Sequence, residues 1–218
     1  MTTRTHTNRV TTDATQLFST KNDLPADNRA QIASLLNQRL ADAIDLHAMC
    51  KQAHWNVKGP SFFQLHKLFD KVAADVDEYV DLIAERVVQL GGTAEGTAAI
   101  VVDRSTLTDY PLTLVTGDEH VDALSDALGE FARTVRIGVE EMNELEDEGS
   151  ADILIEVLRG VDKWLWFVEA HRQGPTMHEI VERSDDGGSP ARARPHGNGD
   201  SASRRARRGN RRGEARHD

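Results

Sequence analysis

Five side chains of the kinds that bind transition metals lie between residues 54 and 85: His54, His66, Asp70, Asp81 and Glu85. Imidazole nitrogen combined with carboxylate oxygen suits a borderline divalent ion such as Fe(II). At 100° per residue, the four residues from 66 to 85 fall within about 100° of one another on a helix, so they share one face. Charged pairs four residues apart also line solvated helix faces, so the spacing alone leaves both interpretations open.

The spacing along the helix prevents one chain from using all five side chains at one ion. Asp70 and Asp81 are eleven residues apart, which is about 16 Å along a helix axis. The ligands of one metal must all lie within about 2.0 to 2.6 Å of it. If the five residues form one site, an antiparallel copy of the same helix must bring Asp81 and Glu85 opposite His66 and Asp70. A single site therefore requires a two-fold dimer.

Apolar residues that recur every three or four positions predict that long helices carry these side chains. Ser61 and Ser150 are expected to cap two of the helices. A crossover over residues 93–117 separates the second helix from the third, and we expect a short helix near residues 105–110. The predicted long helices span 25–57, 61–90, 118–147 and 151–173. Short, long and short connections in that order predict an all-α fold, an antiparallel four-helix bundle.

The chain divides into three predicted regions: residues 1–23 as a flexible N-terminal arm, 24–175 as the bundle, and 176–218 as an extension with a disordered Arg-rich tail. The net charge of −10 conceals two opposite parts, because the last 28 residues carry +6 and the first 190 carry −16. Nine arginines produce the positive tail: Arg192, Arg194, Arg204, Arg205, Arg207, Arg208, Arg211, Arg212 and Arg216. Such a polycation neutralises phosphates, and without interleaved aromatic residues it predicts DNA binding independent of sequence.

Cysteine and apolar content indicate the compartment. Cys50 is the only cysteine, which excludes an intrachain disulfide framework and suits a reducing environment. The first residues lack the apolar core of a signal peptide, and no later apolar run approaches the length of a membrane span. We therefore expect a cytoplasmic protein with no membrane partner.

Two segments of the sequence resemble a known family. The segment KQAHWNVKGPSFFQLHKLFD at residues 51–70 is followed by VDLIAERVVQLGG at residues 80–92. Together with Tyr110-Pro111, ADIL from residue 151 and DKWLWF from residue 162, they resemble the Dps family, the DNA-binding proteins from starved cells or mini-ferritins. The resemblance extends from about residue 20 to residue 172.

The resemblance implies a ferritin-like bundle that assembles into a hollow dodecamer built from two-fold dimers. It also implies a ferroxidase centre at each dimer interface, with His54, His66 and Asp70 from one subunit and Asp81 and Glu85 from its partner. The substrate would be iron, with up to two Fe per centre. Oxidation of Fe(II) would use hydrogen peroxide in preference to dioxygen, and ferric mineral would collect in the shell.

Two further roles are expected on this basis, each with an alternative. Trp55, adjacent to His54, is expected to donate an electron when only one iron is present, although tryptophan at a helix end also commonly packs at an interface. The tail is expected to bind DNA and associate the protein with the nucleoid. The alternatives are a mini-ferritin that binds no DNA, with its tail on its own acidic body, and a nucleoid-compacting structural protein.

Overall fold

The computed structural model describes residues 17–174, which contain five helices and, within that range, no strand. In chain order they are α1 Ala26–Asn56, α2 Phe62–Gln89, α3 Ala98–Arg104, α4 Gly117–Glu144 and α5 Glu148–Glu169. Helix α1 packs along α2, and α4 packs along α5. The two helical hairpins then face each other, α1 against α4 and α2 against α5. The all-α four-helix bundle predicted from the sequence is confirmed.

The core lies between the two hairpins and is filled by the apolar faces that the sequence period predicts. Its largest fully buried side chains come from all four long helices: Leu36, Leu46, Phe69, Ile83, Leu124, Phe131 and Trp164. Each such side chain contributes about 1.5 to 3 kcal/mol by leaving water. None of the described helices is long and apolar enough to cross a membrane.

The turn between α1 and α2 is short and is tied to the start of α4. Gly59 has a φ of 109°, a left-handed backbone conformation that glycine adopts without steric cost. The Lys58 N–H donates to the Val115 carbonyl at 3.1 Å, and Lys58 forms an isolated parallel bridge with Thr116. This turn therefore holds the last turn of α1 and the first turn of α2 at a defined place beside α4.

Glycine also ends α2, where the chain turns sharply. The Gly92 N–H donates to the Val87 carbonyl and the Gly91 N–H to the Val88 carbonyl, both at 2.9 Å, with Gly91 at a φ of 89°. This is a Schellman motif, which requires a left-handed residue. A Cβ at residue 91 would lie 2.6 Å from the Phe18 carbonyl oxygen. The Phe18 N–H donates to the Gly91 carbonyl at 2.7 Å, so residue 18 lies against this end of α2.

The short crossover helix lies at Ala98–Arg104, so its predicted position at residues 105–110 was wrong. Two carboxylates of α1 explain the difference. Asp42, fully buried, accepts hydrogen bonds from the Thr106 N–H at 2.8 Å and the Thr106 hydroxyl at 3.1 Å. Asp45 accepts from the Ser105 hydroxyl at 2.6 Å. Because the Thr106 N–H bonds to a side chain, it cannot bond a carbonyl four residues earlier, and the helix ends.

The start of α5 also differs from its prediction. Asp147, not Ser150, is the N-cap residue, and its carboxylate accepts the Ser150 N–H at 3.1 Å. The Arg86 guanidinium of α2 holds that carboxylate with contacts of 2.8 and 3.1 Å. A carboxylate at this position also complements the helix dipole. The contact between Arg86 and Asp147 therefore favours a start of α5 three residues earlier than predicted.

Candidate metal centre

Two of the predicted ligands, His54 and His66, face each other across the turn between α1 and α2. Their rings are stacked with centroids 3.8 Å apart and planes 22° from parallel. Each ring bonds to the backbone of the other: His54 Nδ1 lies 2.7 Å from the His66 carbonyl oxygen, and His66 Nδ1 lies 2.8 Å from that of His54. Both histidines are partly exposed.

These two hydrogen bonds define the tautomer of both imidazoles. A carbonyl oxygen only accepts, so the Nδ1 atom of each histidine must carry the proton and donate it. The Nε2 atom of each neutral ring then retains its lone pair. This is the arrangement of histidine ligands in metal sites, where a backbone carbonyl orients the ring and sets the tautomer. The turn therefore holds two preoriented nitrogen donors side by side.

The carboxylate of Asp70, one helical turn after His66, completes this cluster. Its Oδ1 atom lies 3.8 Å from His54 Nε2 and 2.7 Å from Lys51 Nζ. The hydrogen bond from Lys51 is the largest cause that lowers the pKa of Asp70, and His54 and Lys67 add charge effects in the same direction. Asp70 is therefore a negatively charged carboxylate that could bind a metal, and one of its oxygens accepts a hydrogen bond from Lys51.

Sequence reasoning missed Lys51 as a member of this cluster. The sequence places Lys51 three residues before His54 on the same helix face, but it does not show that Lys51 reaches Asp70. The ammonium group also lies 5.8 Å from the centre of the Trp55 ring. An ion that binds at Asp70 Oδ1 therefore competes with Lys51, which lies next to both Asp70 and Trp55.

The other two predicted ligands, Asp81 and Glu85, lie further along α2 and are exposed. The chain is helical from Asp70 to Asp81, and the eleven steps between them separate the two carboxylates by about 16 Å of helix axis. Within residues 17–174, no group of three His, Cys, Asp or Glu side chains is close enough to hold a metal ion. In one chain His54 thus lies against His66 and near Asp70, but the three do not form a metal-binding group, and the shared site stays a prediction.

Exposed apolar side chains lie near both groups of predicted ligands. Trp55 is 66% exposed, and Phe62 and Phe63 are exposed at the start of α2. Val88 is exposed near Glu85 and lines an open groove of about 410 Å³. Large apolar side chains that cluster on a surface are typical of protein interfaces. The nine arginines predicted to bind DNA lie outside the described residues.

Comparisons with known proteins agree with the fold and with the motif around the turn. The sequence profile of the ferritin-like domain matches residues 33–175. A DNA protection during starvation protein of Agrobacterium fabrum is 44% identical over 154 residues, 71% of this chain and 95% of the relative. One of Mycolicibacterium smegmatis is 34% identical over 158 residues, 71% of this chain and 86% of the relative. The solved structure of DpsA14 from Streptomyces coelicolor has a TM-score of 0.70 at 31% identity, covering 73% of this chain and 94% of that one.

A four-helix bundle with a long crossover and a histidine–carboxylate cluster at its first turn defines a protein of the ferritin-like class. Within this class, the chain belongs to the Dps family, the DNA protection during starvation proteins. The resemblance to the Dps family over about residues 20 to 172 is therefore confirmed.

Proposed function

We propose that this protein oxidises Fe(II) to Fe(III), with hydrogen peroxide in preference to dioxygen, at a centre shared between two subunits. His54, His66 and Asp70 come from one subunit, and Asp81 and Glu85 from its partner. Ferric mineral collects inside a hollow dodecamer built from these two-fold dimers. Removal of Fe(II) and peroxide, the two reactants that form hydroxyl radicals, protects DNA in the cytoplasm.

The observation that carries this proposal is the pair of Nδ1 hydrogen bonds at the turn between α1 and α2. They leave a lone pair on each Nε2 atom, and the Nε2 atom of His54 lies 3.8 Å from Asp70 Oδ1. Two nitrogens and one oxygen are too few to enclose an ion, and the open positions leave room for the partner's carboxylates and the oxidant. Exposed apolar residues at both ends of the proposed half-sites support a subunit interface there.

The chemistry needs two electrons for each peroxide. Two Fe(II) ions bound in one centre give one electron each, so the O–O bond breaks without releasing a hydroxyl radical. The carboxylates favour Fe(III) over Fe(II), because hard anionic oxygen stabilises the higher charge. The imidazoles supply affinity for Fe(II) before oxidation. The centre thus binds the reduced ion and favours the oxidised one.

The first test removes the distant carboxylates. The double variant Asp81→Asn, Glu85→Gln should lose rapid peroxide-dependent iron oxidation in stopped flow while light scattering gives the same assembly size as wild type. The matched control is Asp152→Asn, Glu156→Gln, because these exposed residues repeat the same spacing on α5. Unchanged oxidation in the first variant, or equal loss in both, would refute the ligand assignment.

A second test asks whether the site is shared. One variant loses the histidine half through His54→Ala and His66→Ala, and the other loses Asp81 and Glu85 as above. Each alone should be inactive, but random mixing of unfolded subunits followed by refolding produces dimers with one complete centre. About a quarter of wild-type activity should return if two-fold dimers form statistically. No recovery in mixed assemblies of normal size would refute a site between subunits.

We also propose sequence-independent DNA binding through the Arg-rich tail, supported by its charge of +6 beside a body of −16. Each phosphate that the tail neutralises should steepen the log–log salt dependence by about 0.9, and several tails on one shell raise avidity. A truncated protein of residues 1–184 should no longer shift plasmid DNA at low salt. If it shifts DNA as well as the full chain does, the tail is not the DNA-binding element.

A further inference from the structure

Lys51 of α1 places an ammonium group inside the candidate metal centre. Its Nζ atom lies 2.7 Å from Asp70 Oδ1, and His54 Nε2 lies 3.8 Å from the same oxygen. The ammonium and the imidazole nitrogen are therefore close neighbours around one carboxylate oxygen. The lysine side chain is 27% exposed, so most of it is packed against the protein. A positive group at this place opposes the binding of a cation, and the proposed ligand set does not account for it.

A second lysine near Asp70 is placed differently. Lys67 precedes Asp70 by three residues on α2 and acts on its carboxylate through charge. Its Nζ atom lies over the Phe63 ring, 6.0 Å from the ring centre. Lys51, in contrast, donates a hydrogen bond to Asp70 directly. Of these two lysines, Lys51 is therefore the one whose N–H groups reach a candidate ligand.

The ammonium of Lys51 has a second partner, which keeps it beside the centre when a metal binds Asp70 Oδ1. Residue 51 lies on α1 one helical turn before His54 and Trp55, on the same face. Its Nζ atom is 5.8 Å from the centre of the Trp55 ring, a distance at which the face of an indole attracts a cation. The Trp55 ring therefore holds the ammonium near His54 without the help of Asp70.

An ammonium at this place acts differently on the two oxidants of iron. Hydrogen peroxide is polar, accepts hydrogen bonds at both oxygen atoms, and gathers negative charge on them as the O–O bond breaks. Dioxygen is apolar and a weak acceptor, so it gains little from an N–H donor when it binds. Donors that face developing negative charge lower the barrier of the reaction that builds it. The ammonium therefore favours peroxide.

We propose that Lys51 makes the iron centre select hydrogen peroxide, by donating hydrogen bonds to the oxygen atoms of peroxide beside His54. This inference rests on the proposed ferroxidase function and adds a specificity-determining residue to it. Two Fe(II) ions give one electron each, the O–O bond breaks, and two protons from solvent complete two water molecules. Lys51 keeps its own proton throughout, so it acts as a charged hydrogen-bond donor.

The oxidant preference of Lys51 variants tests the proposal in stopped flow. Full-length assemblies, saturated with Fe(II) under anaerobic conditions, are mixed with hydrogen peroxide or with dioxygen. Lys51→Met should slow oxidation by peroxide about tenfold or more, the effect expected for one charged hydrogen bond, and should change the dioxygen rate much less. Lys51→Arg keeps the charge and the N–H donors, so it should retain the preference of wild type.

The matched control is Lys67→Met, which removes the same charge near Asp70 and should keep the wild-type preference. An unchanged ratio of peroxide to dioxygen rates in Lys51→Met overturns the inference and leaves the proposed function standing. An equal loss of preference in Lys67→Met also overturns it, because net charge and not a hydrogen bond would then set the preference. Wild type that oxidises no iron with either oxidant overturns the proposed function and the inference together.

A second measurement needs no turnover. Azide, an anion that stands in for peroxide, is titrated into the Co(II)-loaded protein and followed by visible absorption. Lys51→Met should weaken azide binding about tenfold, although it removes the group that competes with the metal for Asp70. A purely structural role for Lys51 would change the affinities for metal and azide in the same direction. Azide binding as tight in Lys51→Met as in wild type overturns the inference.

Discussion

Replacing Lys51 with methionine removes the ammonium group that pairs with the Asp70 carboxylate. We expect the variant to bind divalent metal more tightly. In the structure Lys51 Nζ lies 2.7 Å from Asp70 Oδ1. A cation that binds Asp70 Oδ1 competes with Lys51 for that oxygen. Methionine keeps the length and apolar stem of lysine while removing its charge and its hydrogen bonds.

The size of the effect follows from the exposure of the two side chains, which is 27% for Lys51 and 47% for Asp70. An ion pair this exposed to water contributes about 0.2 to 1 kcal/mol. Relief from breaking it therefore tightens binding by about 1.4- to 5-fold, since 1.4 kcal/mol corresponds to about tenfold. Removal of the same pair lowers folding stability by no more than about 1 kcal/mol.

Anaerobic calorimetry with Co(II), a stand-in for Fe(II) that does not react with the protein, measures the affinity. The matched control is Lys67→Met, because Lys67 affects Asp70 through charge alone and does not bond to it. The gain for Lys51→Met should exceed that for Lys67→Met. Binding by Lys51→Met that is no tighter than wild type, or equal gains in both variants, would refute the competition between lysine and metal.

Three further predictions concern the ends of helices. Thr116 and Glu119 form a capping box at the start of α4, and Thr116→Ala should cost about 1 kcal/mol in urea unfolding. The backbone N–H groups of Thr116 and Val115 lower the pKa of Glu119 from 4.5. The Glu119 carboxylate therefore contributes to folding stability above pH 4.5, and this contribution is lost as the pH falls through the folded-state pKa. Glu119→Gln should remove this part of the pH dependence of stability, and an unchanged profile of stability against pH would contradict the assignment. Arg86→Met should cost about 3 to 5 kcal/mol, because it leaves Asp147 buried without its cation. The exposed pair of Arg136 provides the control, since Arg136→Met should cost at most about 1 kcal/mol; similar losses in both would disprove the difference in burial cost.

Much of the fold was predictable because the long helices carry strong apolar periods. Predicted bounds of 25–57 and 61–90 became Ala26–Asn56 and Phe62–Gln89, since glycine and proline mark the ends locally. The prediction failed where a distant side chain decides the outcome. Asp42 of α1 ends the crossover helix before residues 105–110. Arg86 of α2 bonds to the carboxylate of Asp147, the N-cap residue of α5. A local sequence pattern cannot predict a contact between residues about 60 positions apart in the chain.

The candidate site shows the same division. Residue types and spacing identified His54, His66 and Asp70 on neighbouring helices, and the structure brings them together. The lysine on Asp70 was missed, because whether an ammonium reaches a carboxylate nineteen residues away depends on how α1 packs on α2. The five-residue set was predicted to exceed the reach of one ion in one chain, and the separation of Asp81 from Asp70 along α2 agrees.

The sequence by itself determined the helical faces, the types and spacing of the candidate ligands, the division of charge between body and tail, and the resemblance to the Dps family. These properties follow from residue identity and local period, which do not depend on distant contacts. Only the tertiary structure decided the tautomers of His54 and His66 and the lysine that bonds to Asp70. Each of these depends on a hydrogen bond of about 3 Å between different elements, and only packing brings such groups to that distance.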